Sequence, residues 1–416
     1  MSWRQTRLKH LCTDAGQYGL NISADQYTQS GSRLIRTSDI SESGQLAADG
    51  VYVDVAIEAR HRAQSGDLLL SRSGTLGRSF LVPPRLGDAT YAGYLVRFRP
   101  RCDVEPRFLA YAAQSAAFQD QIRADAVSST IQNFSAERYA SIGLPAPNLD
   151  EQRRIADFLD AQLIRIATID TYLASASQLL AERRVSIWWS LLGLGSAPSS
   201  SLKGFFENSR WSLAPLKAAL RMTIAGATPT VSSENYWSTA SGTPWISISD
   251  MIEFGTTDRT SRGISDEGMR ACRLIAAPSG TVLMAMYASL GKTTVTAVPA
   301  TWNQAIIGLV PQETALTPEF LLHWLEGLRQ FLPSLARSNT QDNINAEQVR
   351  QLPLILPSLS EQRRILQQFS GECDTANVLV SKIGQQCKLL AERRQALITA
   401  AVTGQIDVTT ARGADG

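Results

Sequence analysis

The stretch EQRRI at Glu151–Ile155 occurs again at Glu361–Ile365. A second string, LLAERR, occurs at Leu179–Arg184 and again at Leu389–Arg394. Both strings return after the same interval of 210 residues, from 151 to 361 and from 179 to 389. Two matched strings at one interval indicate an internal repeat, and so long an interval indicates copies of domain size rather than solenoid units. The sequence therefore predicts a chain built from two related halves.

The repeat extends upstream of both strings, with small shifts in the interval that loop insertions would produce. Three further pairs match: EPRFLAYAA (Glu105–Ala113) with TPEFLLHWL (Thr317–Leu325), RLIRTSDI (Arg33–Ile40) with PWISISDM (Pro244–Met251), and SGTLGRS (Ser73–Ser79) with YASLGKT (Tyr287–Thr293). Each half has short β-type runs, such as GDLLLSR and GTVLMAM, interrupted by turn residues. A helix that starts at Pro106 or Pro318 follows, because proline is tolerated in a first helical turn. We therefore predict an α+β fold with two repeated mixed α/β domains.

A helical pattern without proline links the two strings in each copy, over Glu151–Arg184 and Glu361–Arg394. A 4-3-4 spacing selects the matched positions Ile155, Leu159, Gln162, Ile166, Ile169, Leu173, Ala176 and Leu180, then Ile365, Phe369, Glu372, Ala376, Leu379, Ile383, Gln386 and Leu390. The spacing predicts an apolar seam with one buried polar pair, Gln162 and Glu372. Because the nearest partner for each helix is its own copy, we expect a coiled coil. Pseudo-twofold symmetry favours antiparallel over parallel pairing.

These patterns predict the domain boundaries. We expect a first domain at 1–146, a long-helix region at 147–195, a linker at 196–204, a second domain at 205–356, a second long-helix region at 357–408 and a flexible tail at 409–416. The linker is assigned from the Gly, Ser and Pro content of GLGSAPSSS at Gly193–Ser201. The apolar run SIWWSLL at Ser186–Leu192 predicts an exposed surface that needs a cover.

Composition excludes several classes of protein. The chain has no run of about 18 apolar residues and no N-terminal secretory signal, so we expect a cytoplasmic protein without a membrane span. Its five cysteines are scattered and it has only three histidines, which argues against disulfides and a structural zinc site, and we expect no metal. The net charge of +2 neither requires nor excludes nucleic acid, because a local basic face decides that question.

The repeated elements resemble a known family, the specificity (S) subunits of type I restriction–modification systems. The resemblance covers essentially the whole chain and is carried by LPAPNLDEQRRI (Leu144–Ile155), LPLILPSLSEQRRI (Leu352–Ile365) and the ending LLAERRQALITAAVTGQIDV (Leu389–Val408). The first copy departs from that ending with VSIWWSLLGLG (Val185–Gly195), which leaves open how the first long helix ends.

The resemblance implies two target-recognition domains, each of which reads one half of a bipartite, interrupted site in double-stranded DNA. The long helices are expected to set the spacer and to dock two methyltransferase (modification) subunits, which restriction subunits with motor and nuclease activity would join. The chain itself is then a non-catalytic subunit of an adenine-N6 methyltransferase and restriction complex. S-adenosylmethionine, ATP and Mg are expected in the partner subunits and no cofactor in this chain. A coiled-coil adaptor without DNA recognition stays open as the alternative.

The sequence offers no convincing catalytic site. LGKTT at Leu290–Thr294 lacks the first glycine of a phosphate-binding loop, because Met286 stands there, and the matching first copy reads LGRS. A nucleotide hydrolase that uses Lys292 is therefore only a remote third hypothesis. We interpret both stretches as strand–turn elements that present a cation to the DNA backbone. Asp39 and Asp250 are predicted to cap turns.

Polar and cationic side chains in the matched loops are the candidates for DNA contact, because such groups read base edges and phosphates. The candidates are Arg33, Arg36, Ser38, Arg72, Ser73, Thr75, Arg78, Gln132, Asn133, Ser247, Ser249, Tyr287, Ser289, Lys292, Asn303, Gln304, Arg337, Gln341 and Asn343. The repeated charges of EQRR and AERR are interpreted either as a solvated helix face or as a docking surface for partner subunits. That surface comprises Glu151, Arg153, Arg154, Glu182, Arg183, Arg184, Glu361, Arg363, Arg364, Glu392, Arg393 and Arg394.

Overall fold

The computed structural model describes residues 3–127, 133–194, 206, 209–229, 233–238, 242–336 and 343–408. The predicted linker and tail lie outside these ranges, as do the candidate residues Gln132, Arg337 and Gln341. The chain forms two compact units: unit 1 comprises Met1–Ala174 with Ile383–Gly416, and unit 2 comprises Ser175–Lys382. Each unit therefore combines one α/β domain with one half of each long helix.

Domain 1 is the α/β part of unit 1, residues 3–146. Its elements are β1 (Gln5–Arg7), β2 (Gln17–Tyr18), β3 (Tyr27–Thr28), β4 (Ser32–Ile35), β5 (Val51–Val53), β6 (Leu68–Ser71), β7 (Ser79–Leu81), β8 (Ala89–Tyr91), β9 (Leu95–Phe98), α1 (Pro106–Gln114), α2 (Ala116–Val127), α3 (Ala136–Ser141) and β10 (Gly143–Pro145). The first long helix, α4, spans Leu149–Leu191. The predicted helix start at Pro106 is confirmed, and Glu105 caps it by accepting a hydrogen bond from the Arg107 amide at 3.3 Å.

Domain 2 is the α/β part of unit 2, residues 209–356. Its elements are β11 (Leu213–Pro215), β12 (Leu220–Ala225), β13 (Trp237–Ser238), β14 (Thr243–Ile246), β15 (Thr256–Thr257), β16 (Arg262–Ile264), α5 (Asp266–Ala271), β17 (Val282–Ala285), β18 (Thr293–Thr296), β19 (Thr301–Trp302), β20 (Ile306–Pro311), α6 (Pro318–Leu328), α7 (Leu332–Leu335), α8 (Ala346–Arg350) and β21 (Pro353–Ile355). The second long helix, α9, spans Leu359–Val402. The predicted helix start at Pro318 is also confirmed.

The two domains share one sheet topology. In domain 1 one sheet has the order β2-β9-β6-β7 and another β3-β5-β4-β8, and in domain 2 the matching sheets are β12-β20-β17-β18, extended by β15, and β13-β16-β14-β19. The β4–β8 and β14–β19 pairs are both parallel. A two-stranded antiparallel ladder joins the beginning of each domain to its end, β1 with β10 and β11 with β21. The predicted repeat of mixed α/β domains is confirmed.

Strand β6 lies at the centre of domain 1, buried on both faces because successive side chains point to opposite sides of a sheet. Leu68 and Leu70 belong to the core that includes Leu109 of α1, whereas Leu69 belongs to the core that includes Ile35 of the other sheet. Strand β17 repeats this arrangement in domain 2. Each domain is therefore layered as helices, sheet and second sheet, and the loops at the strand ends stay at its surface.

Both long helices begin and end in the same way. Asn148 caps α4 by accepting a hydrogen bond from the Glu151 amide at 2.9 Å, and Ser358 caps α9 through the Glu361 amide at 3.3 Å. A glycine with positive φ follows the last turn of each helix, Gly193 (71°) and Gly404 (74°). The next amide in each case bonds to a carbonyl five residues back, at 2.9 Å, which is a Schellman motif. The stretch VSIWWSLLGLG, which replaces the family's usual ending in the first copy, therefore ends α4 in the same way as the second copy ends α9.

The ends of the long helices pack within each unit. In unit 1 Ile155 and Leu159, near the start of α4, share a buried cluster with Ile398 and Val402, near the end of α9. In unit 2 Trp188, near the end of α4, lies with its ring centroid 5.2 Å from that of Phe369, near the start of α9. In each unit the beginning of one helix contacts the end of the other, which is the predicted antiparallel pairing.

The seam is not buried along its whole length. The matched seam residues Ile169 and Leu379 are 45% and 44% exposed. Glu372 is also exposed, and its neighbour Cys373 is buried instead, so the predicted buried polar pair was wrong. The physical reason is that Cys373 packs into a core shared with domain 2 and not only against a helix.

The run SIWWSLL is not an exposed surface, and that prediction was also wrong. Trp188, Trp189 and Leu192 are buried within unit 2. Helix α6 covers them: the Trp188 ring lies 5.1 Å from Phe320, and the Trp189 ring lies 5.3 Å from Trp324. The aromatic residues therefore fasten the last turns of α4 to domain 2.

Polar contacts also fasten each domain to its helix, with different residues in the two units. In unit 1 Arg107 of α1 contacts Asp160 and Asp157 of α4 at 2.6 and 2.9 Å. In unit 2 Arg184 of α4 contacts Glu326 of α6 at 3.3 Å, and both side chains are buried. The same junction is thus held by a half-exposed ion pair in one unit and by a buried ion pair in the other.

Candidate nucleic-acid interface

Three loops of domain 1 meet at one edge of its two sheets. Loop A (36–40) follows β4, loop B (72–78) joins β6 to β7, and loop C (92–94) joins β8 to β9. The Arg72 amide donates to the Tyr94 carbonyl at 2.9 Å, which joins loops B and C. The Ala92 amide donates to the Ile35 carbonyl at 2.9 Å, which joins loop C to the strand before loop A. The Arg78 guanidinium donates to the Ile40 carbonyl at 2.7 Å and joins loops A and B.

Domain 2 joins its three matching loops with two matching backbone bonds and with a cation that bonds a different carbonyl of loop A. We define its loop A as 247–251, loop B as 286–292 and loop C as 303–305. The Met286 amide donates to the Ala305 carbonyl at 2.8 Å, and the Asn303 amide donates to the Ile246 carbonyl at 3.2 Å. The Lys292 ammonium donates to the Ile248 carbonyl at 2.9 Å. The three loops therefore form one surface in each domain, on one shared backbone frame.

An aspartate organises loop A in both domains, as the sequence predicted. The Asp39 carboxylate accepts from the Arg36 amide at 3.0 Å, and the Asp250 carboxylate accepts from the Ser247 amide at 2.9 Å. Asp39 also accepts from the Arg36 guanidinium at 2.7 Å, and this hydrogen bond raises the pKa of Arg36 above its usual value. The capped turns hold the flanking side chains of loop A in fixed positions.

The domain 1 candidates are largely brought together by these loops. Five of them line two adjoining shallow depressions: Arg36, Ser38, Ser73, Thr75 and Arg78. Asn133 lies beside them, because its backbone pairs with that of Ser73. Arg72 stacks over the Tyr18 ring at 4.7 Å. Arg33 is different, since its guanidinium donates to the carbonyls of residues 47, 48 and 49 at 2.7–3.1 Å and stabilises a neighbouring turn.

Tyr94 was not among the candidates, although it lies at the centre of this surface. It lines both depressions together with Ser38 and is 64% exposed, unusually high for so large an apolar ring. An aromatic residue between Gly93 and a buried strand was the sequence signal that could have indicated it. At the matching place domain 2 has Ala305, which is buried.

The domain 2 candidates carry hydroxyl and amide groups on the same frame. The Ser247 hydroxyl lies 2.8 Å from that of Ser249, in loop A. Gln304 hydrogen-bonds Thr228, and the Asn303 side chain accepts from the Ala305 amide at 3.0 Å. Tyr287, Ser289 and Lys292 lie on loop B, and the Ile344 amide, next to Asn343, bonds to the Met286 carbonyl at 3.1 Å.

Loop B of domain 2 contains two residues in a conformation that favours glycine. Ala288 has φ +50° and Ser289 has φ +102°. In domain 1 the residue that matches Ala288 is Gly74, with φ +76° and open space where a side chain would lie. Backbone strain of this kind is concentrated at functional loops, and it sets the second domain's loop apart from the first.

The proposed docking charges lie mainly on exposed helix faces. Exposed side chains are those of Arg153, Arg154, Glu182, Arg183, Arg363, Arg364, Glu392 and Arg393. Glu151 and Glu361 are half-buried and pair with the arginine three residues later, as i, i+3 pairs. Arg394 is half-buried and donates to the Ser43 carbonyl at 3.3 Å. Arg184 is the exception, because its buried side chain faces Glu326 and cannot form part of an exposed surface.

The residue of EQRRI that the sequence interpretation passed over is the glutamine. Gln152 is 3% exposed and Gln362 is 0% exposed, although the charged residues around them reach solvent. Both side chains hydrogen-bond backbone groups at the start of the domain helix, Glu105 in domain 1 and Thr317 in domain 2. In both copies of EQRRI the buried glutamine therefore has a structural role, whereas the arginines lie exposed on the helix surface.

None of the helices in the described ranges is long and apolar enough to cross a membrane. Over the same ranges, no three His, Cys, Asp or Glu side chains come together as metal ligands would.

Comparison with known proteins gives one consistent family. The model of the type I restriction modification DNA specificity domain matches residues 23–173 and again 224–375, which together exceed half of the chain. Among curated proteins, the type I restriction enzyme MjaIX specificity subunit of Methanocaldococcus jannaschii is 24% identical over 144 residues, 34% of this chain and 33% of that protein. The type I restriction enzyme StySPI specificity subunit of Salmonella potsdam is 23% identical over 199 residues, 46% of this chain and 40% of that protein.

A solved structure shows the same fold. The chain from "Structural basis underlying complex assembly and conformational transition of the type I R-M system" aligns with a TM-score of 0.57 and 21% identity, over 97% of this chain and 98% of that one. The matched regions span well under half the length of the two curated relatives. The repeated match to the family model nevertheless covers most of both domains and the first part of each long helix. The chain belongs to the family of type I restriction modification DNA specificity domains.

Proposed function

We propose that this chain is the DNA-specificity subunit of a type I restriction–modification complex, in which each domain reads one half of a bipartite, interrupted site. The observation that carries the proposal is the three-loop surface. The two backbone bonds that join its loops are the same in both domains, whereas its side chains differ. A constant frame with variable side chains suits two readers of different half-sites, so the target need not be palindromic.

The side chains on the two surfaces have the chemistry that reads duplex DNA. Domain 1 offers guanidinium, hydroxyl and phenol groups with the amide of Asn133, and domain 2 offers hydroxyl and amide groups with the phenol of Tyr287 and one ammonium. Arginine, asparagine and glutamine form bidentate hydrogen bonds to base edges in the major groove, and serine and threonine bond either bases or phosphates. Arg78 and Lys292, which already hold loop A, keep further donors that can reach a phosphate.

The long helices suit the role of a spacer. Helix α4 has 43 residues and α9 has 44. At 1.5 Å per residue each is about 65 Å long, which exceeds the 34–36 Å that separates half-sites one turn apart on one face of DNA. Within each unit the domain packs against both long helices.

We also propose that the exposed faces of the helices dock two methyltransferase subunits, which restriction subunits join. The leucine that opens LLAERR is exposed in both copies, at Leu179 and Leu389, beside the charges of AERR. Large apolar residues inside a charged rim are typical of interface cores. The partners would supply adenine-N6 methyl transfer from S-adenosylmethionine, and DNA cleavage with ATP and Mg, while this chain would supply the sequence specificity. Such a complex would work in the cytoplasm.

A domain exchange tests the proposal. Residues 1–144 are replaced by the matching region of a relative with a different target, and the subunit is produced with its methyltransferase partner. Sequencing of methylated adenines across the host genome should show one half-site changed and the other half-site and the gap retained. The unaltered subunit, produced in parallel, is the control. A modified site that is the same before and after the exchange contradicts the proposal.

The salt dependence of binding gives a second readout. Phosphate contacts make the affinity for DNA fall steeply as salt rises. We expect the affinity of the assembled complex to fall in this way on the target sequence that the sequencing of methylated adenines identifies. Binding that is absent, or that salt does not change, would instead favour a protein adaptor whose domains bind proteins.

A further inference from the structure

The glutamine of EQRRI forms a bridge in unit 1 between domain 1 and the start of α4. Its side-chain oxygen accepts a hydrogen bond from the Glu105 amide at 2.9 Å, at the first turn of α1. Its side-chain nitrogen donates to the Pro147 carbonyl at 2.8 Å, just before α4 begins. One buried amide, that of Gln152, thus bonds both the domain helix and the entry to the long helix.

Unit 2 contains the same bridge. The Gln362 oxygen accepts from the Thr317 amide at 3.0 Å, at the first turn of α6. Its nitrogen donates to the Pro357 carbonyl at 2.9 Å, and also to the Ala315 carbonyl at 2.7 Å. The bridge is therefore a repeated feature of the fold. Its partners are backbone groups in both units, and in unit 2 the Thr317 hydroxyl also donates to the Gln362 oxygen at 3.4 Å.

The bridge resembles a capping box whose two parts come from different helices. In an ordinary capping box the N-cap side chain accepts from an amide one turn into the helix, and a Glu or Gln of that turn accepts from the N-cap amide. Here Glu105 and Thr317 perform the first role for α1 and α6. The second role falls to Gln152 and Gln362, which belong to the long helices. The start of each domain helix is thereby fixed in direction as well as in position.

We propose that Gln152 and Gln362 are positioning residues that fix how each domain sits on its long helix, and through this the gap between half-sites that the complex accepts. The proposal rests on the proposed function, since a gap exists only if both domains read DNA. Hydrogen bonds act over short distances and at preferred angles, so a buried amide with two backbone partners at Gln152 and three at Gln362 restricts rotation at the junction. An apolar residue of similar size would fill the space and leave that rotation free.

The test uses Gln152→Met and Gln362→Met in the complete subunit with its methyltransferase partners. The control is Gln367→Met, which alters an exposed glutamine of the same helix α9. Methylation rates are compared on DNA with the native gap and on DNA whose gap is one base pair shorter or longer. Loss of the buried hydrogen bonds should reduce the preference for the native gap about tenfold in both bridge variants, and not in the control.

A second measurement reads the junction without DNA. Nitroxide labels are introduced through non-natural amino acids at Arg123 of α2 and Arg165 of α4, which are both exposed and both within unit 1. Their distance distribution, from pulsed electron resonance, should broaden with Gln152→Met and stay unchanged with Gln362→Met. Where Gln152→Met does not fold, Gln152→Glu replaces it, because it keeps the acceptor for the Glu105 amide and loses the donor to Pro147.

The outcomes separate the two proposals. A native gap preference together with a native distance distribution in the bridge variants overturns the positioning role. Equal methylation of all gap lengths by the unaltered complex contradicts the proposed function instead, and the distance measurement still decides the role of the bridge. A lowered melting temperature with unchanged gap preference and distances would show that the glutamines only stabilise the fold, which also overturns the proposal.

Discussion

Domain 1 and domain 2 hold their loops with two equivalent backbone hydrogen bonds and one cation, and they present different groups on these loops. Two of the bonds use backbone amides. The third uses a side-chain cation, which is Arg78 in domain 1 and Lys292 in domain 2. The presented groups differ most at the ring of Tyr94, which domain 2 replaces with a buried alanine. The comparison teaches that the presented groups can change while the loops keep their arrangement, because the two backbone bonds do not depend on any side chain.

The two units also differ in how the domain is fastened to the helices. Unit 2 uses buried aromatic rings and the buried pair of Arg184 and Glu326, whereas unit 1 uses half-exposed ion pairs and the aliphatic contacts of Ile398. Burial makes each group more costly to remove. Unit 2 should therefore respond more strongly than unit 1 to substitution at matched helix positions.

The largest effect is expected where the aromatic anchor is removed. Trp188→Ala should lower the free energy of unfolding by about 4 kcal/mol, since it leaves a large cavity in a closed core. Ile398→Ala at the matching position of α9 should cost about 3 kcal/mol. Chemical denaturation of the two variants measures both values. A cost for Trp188→Ala below that of Ile398→Ala would contradict the ranking of the two junctions.

The buried ion pair should give the next largest difference. Arg184→Met leaves the Glu326 carboxylate without its guanidinium, and we expect a loss of about 3 kcal/mol of folding free energy. Arg394→Met, the matched change in unit 1, removes one hydrogen bond to a carbonyl and should cost about 1 kcal/mol. Adding Glu326→Gln to Arg184→Met should restore part of the stability. Equal losses at both positions would show that the two junctions are alike after all.

The exposed ring of domain 1 should matter for DNA rather than for stability. Tyr94→Ala should weaken binding of the assembled complex about tenfold, the effect of one base contact. The loss should disappear on DNA whose first half-site is already altered. Arg85→Ala is the control, because Arg85 lies at the other end of β7, away from the three loops. Fluorescence anisotropy measures the affinities, and an unchanged affinity for Tyr94→Ala would remove the ring from the reading surface.

The smallest effect on stability is expected in loop B, where one substitution gives each domain the residue that the other has at the matched position. Ala288→Gly relieves a left-handed alanine in domain 2 and should stabilise the chain by up to about 1 kcal/mol. Gly74→Ala introduces the same strain in domain 1 and should destabilise it by about 1 kcal/mol. Thermal denaturation measures both. Shifts of the same sign would mean that the two loops do not share the backbone conformation that their φ angles indicate.

Sequence alone was sufficient for the elements that follow local rules. The helix starts at Pro106 and Pro318, the strand runs around Leu69 and Leu283, and the turns capped by Asp39 and Asp250 were all predicted, because proline placement, strand pattern and turn chemistry depend on neighbours in the sequence. The antiparallel pairing was predicted too, since an internal repeat restricts the symmetry that two copies can adopt.

Features that depend on distant contacts were not predictable. The heptad pattern placed Glu372 in the seam because it assumed that α9 packs only against a helix, whereas Cys373 packs towards domain 2. Arg184 was interpreted as a surface charge because its partner, Glu326, is 142 residues away in the sequence. Gln152 was overlooked because a polar residue between charges has no local sign of burial. The loop candidates remain a prediction, although most of the described ones share one surface in each domain.

The ladders that join the first and last strands of each domain bear on how such proteins change over time. Since β1 pairs with β10 and β11 pairs with β21, the chain enters and leaves each domain at neighbouring points. Recombination between two genes, with one crossover on each side of such a ladder, would transfer a whole reader and leave the helices untouched. Under the proposed function, such an exchange would change one half-site in a single genetic event.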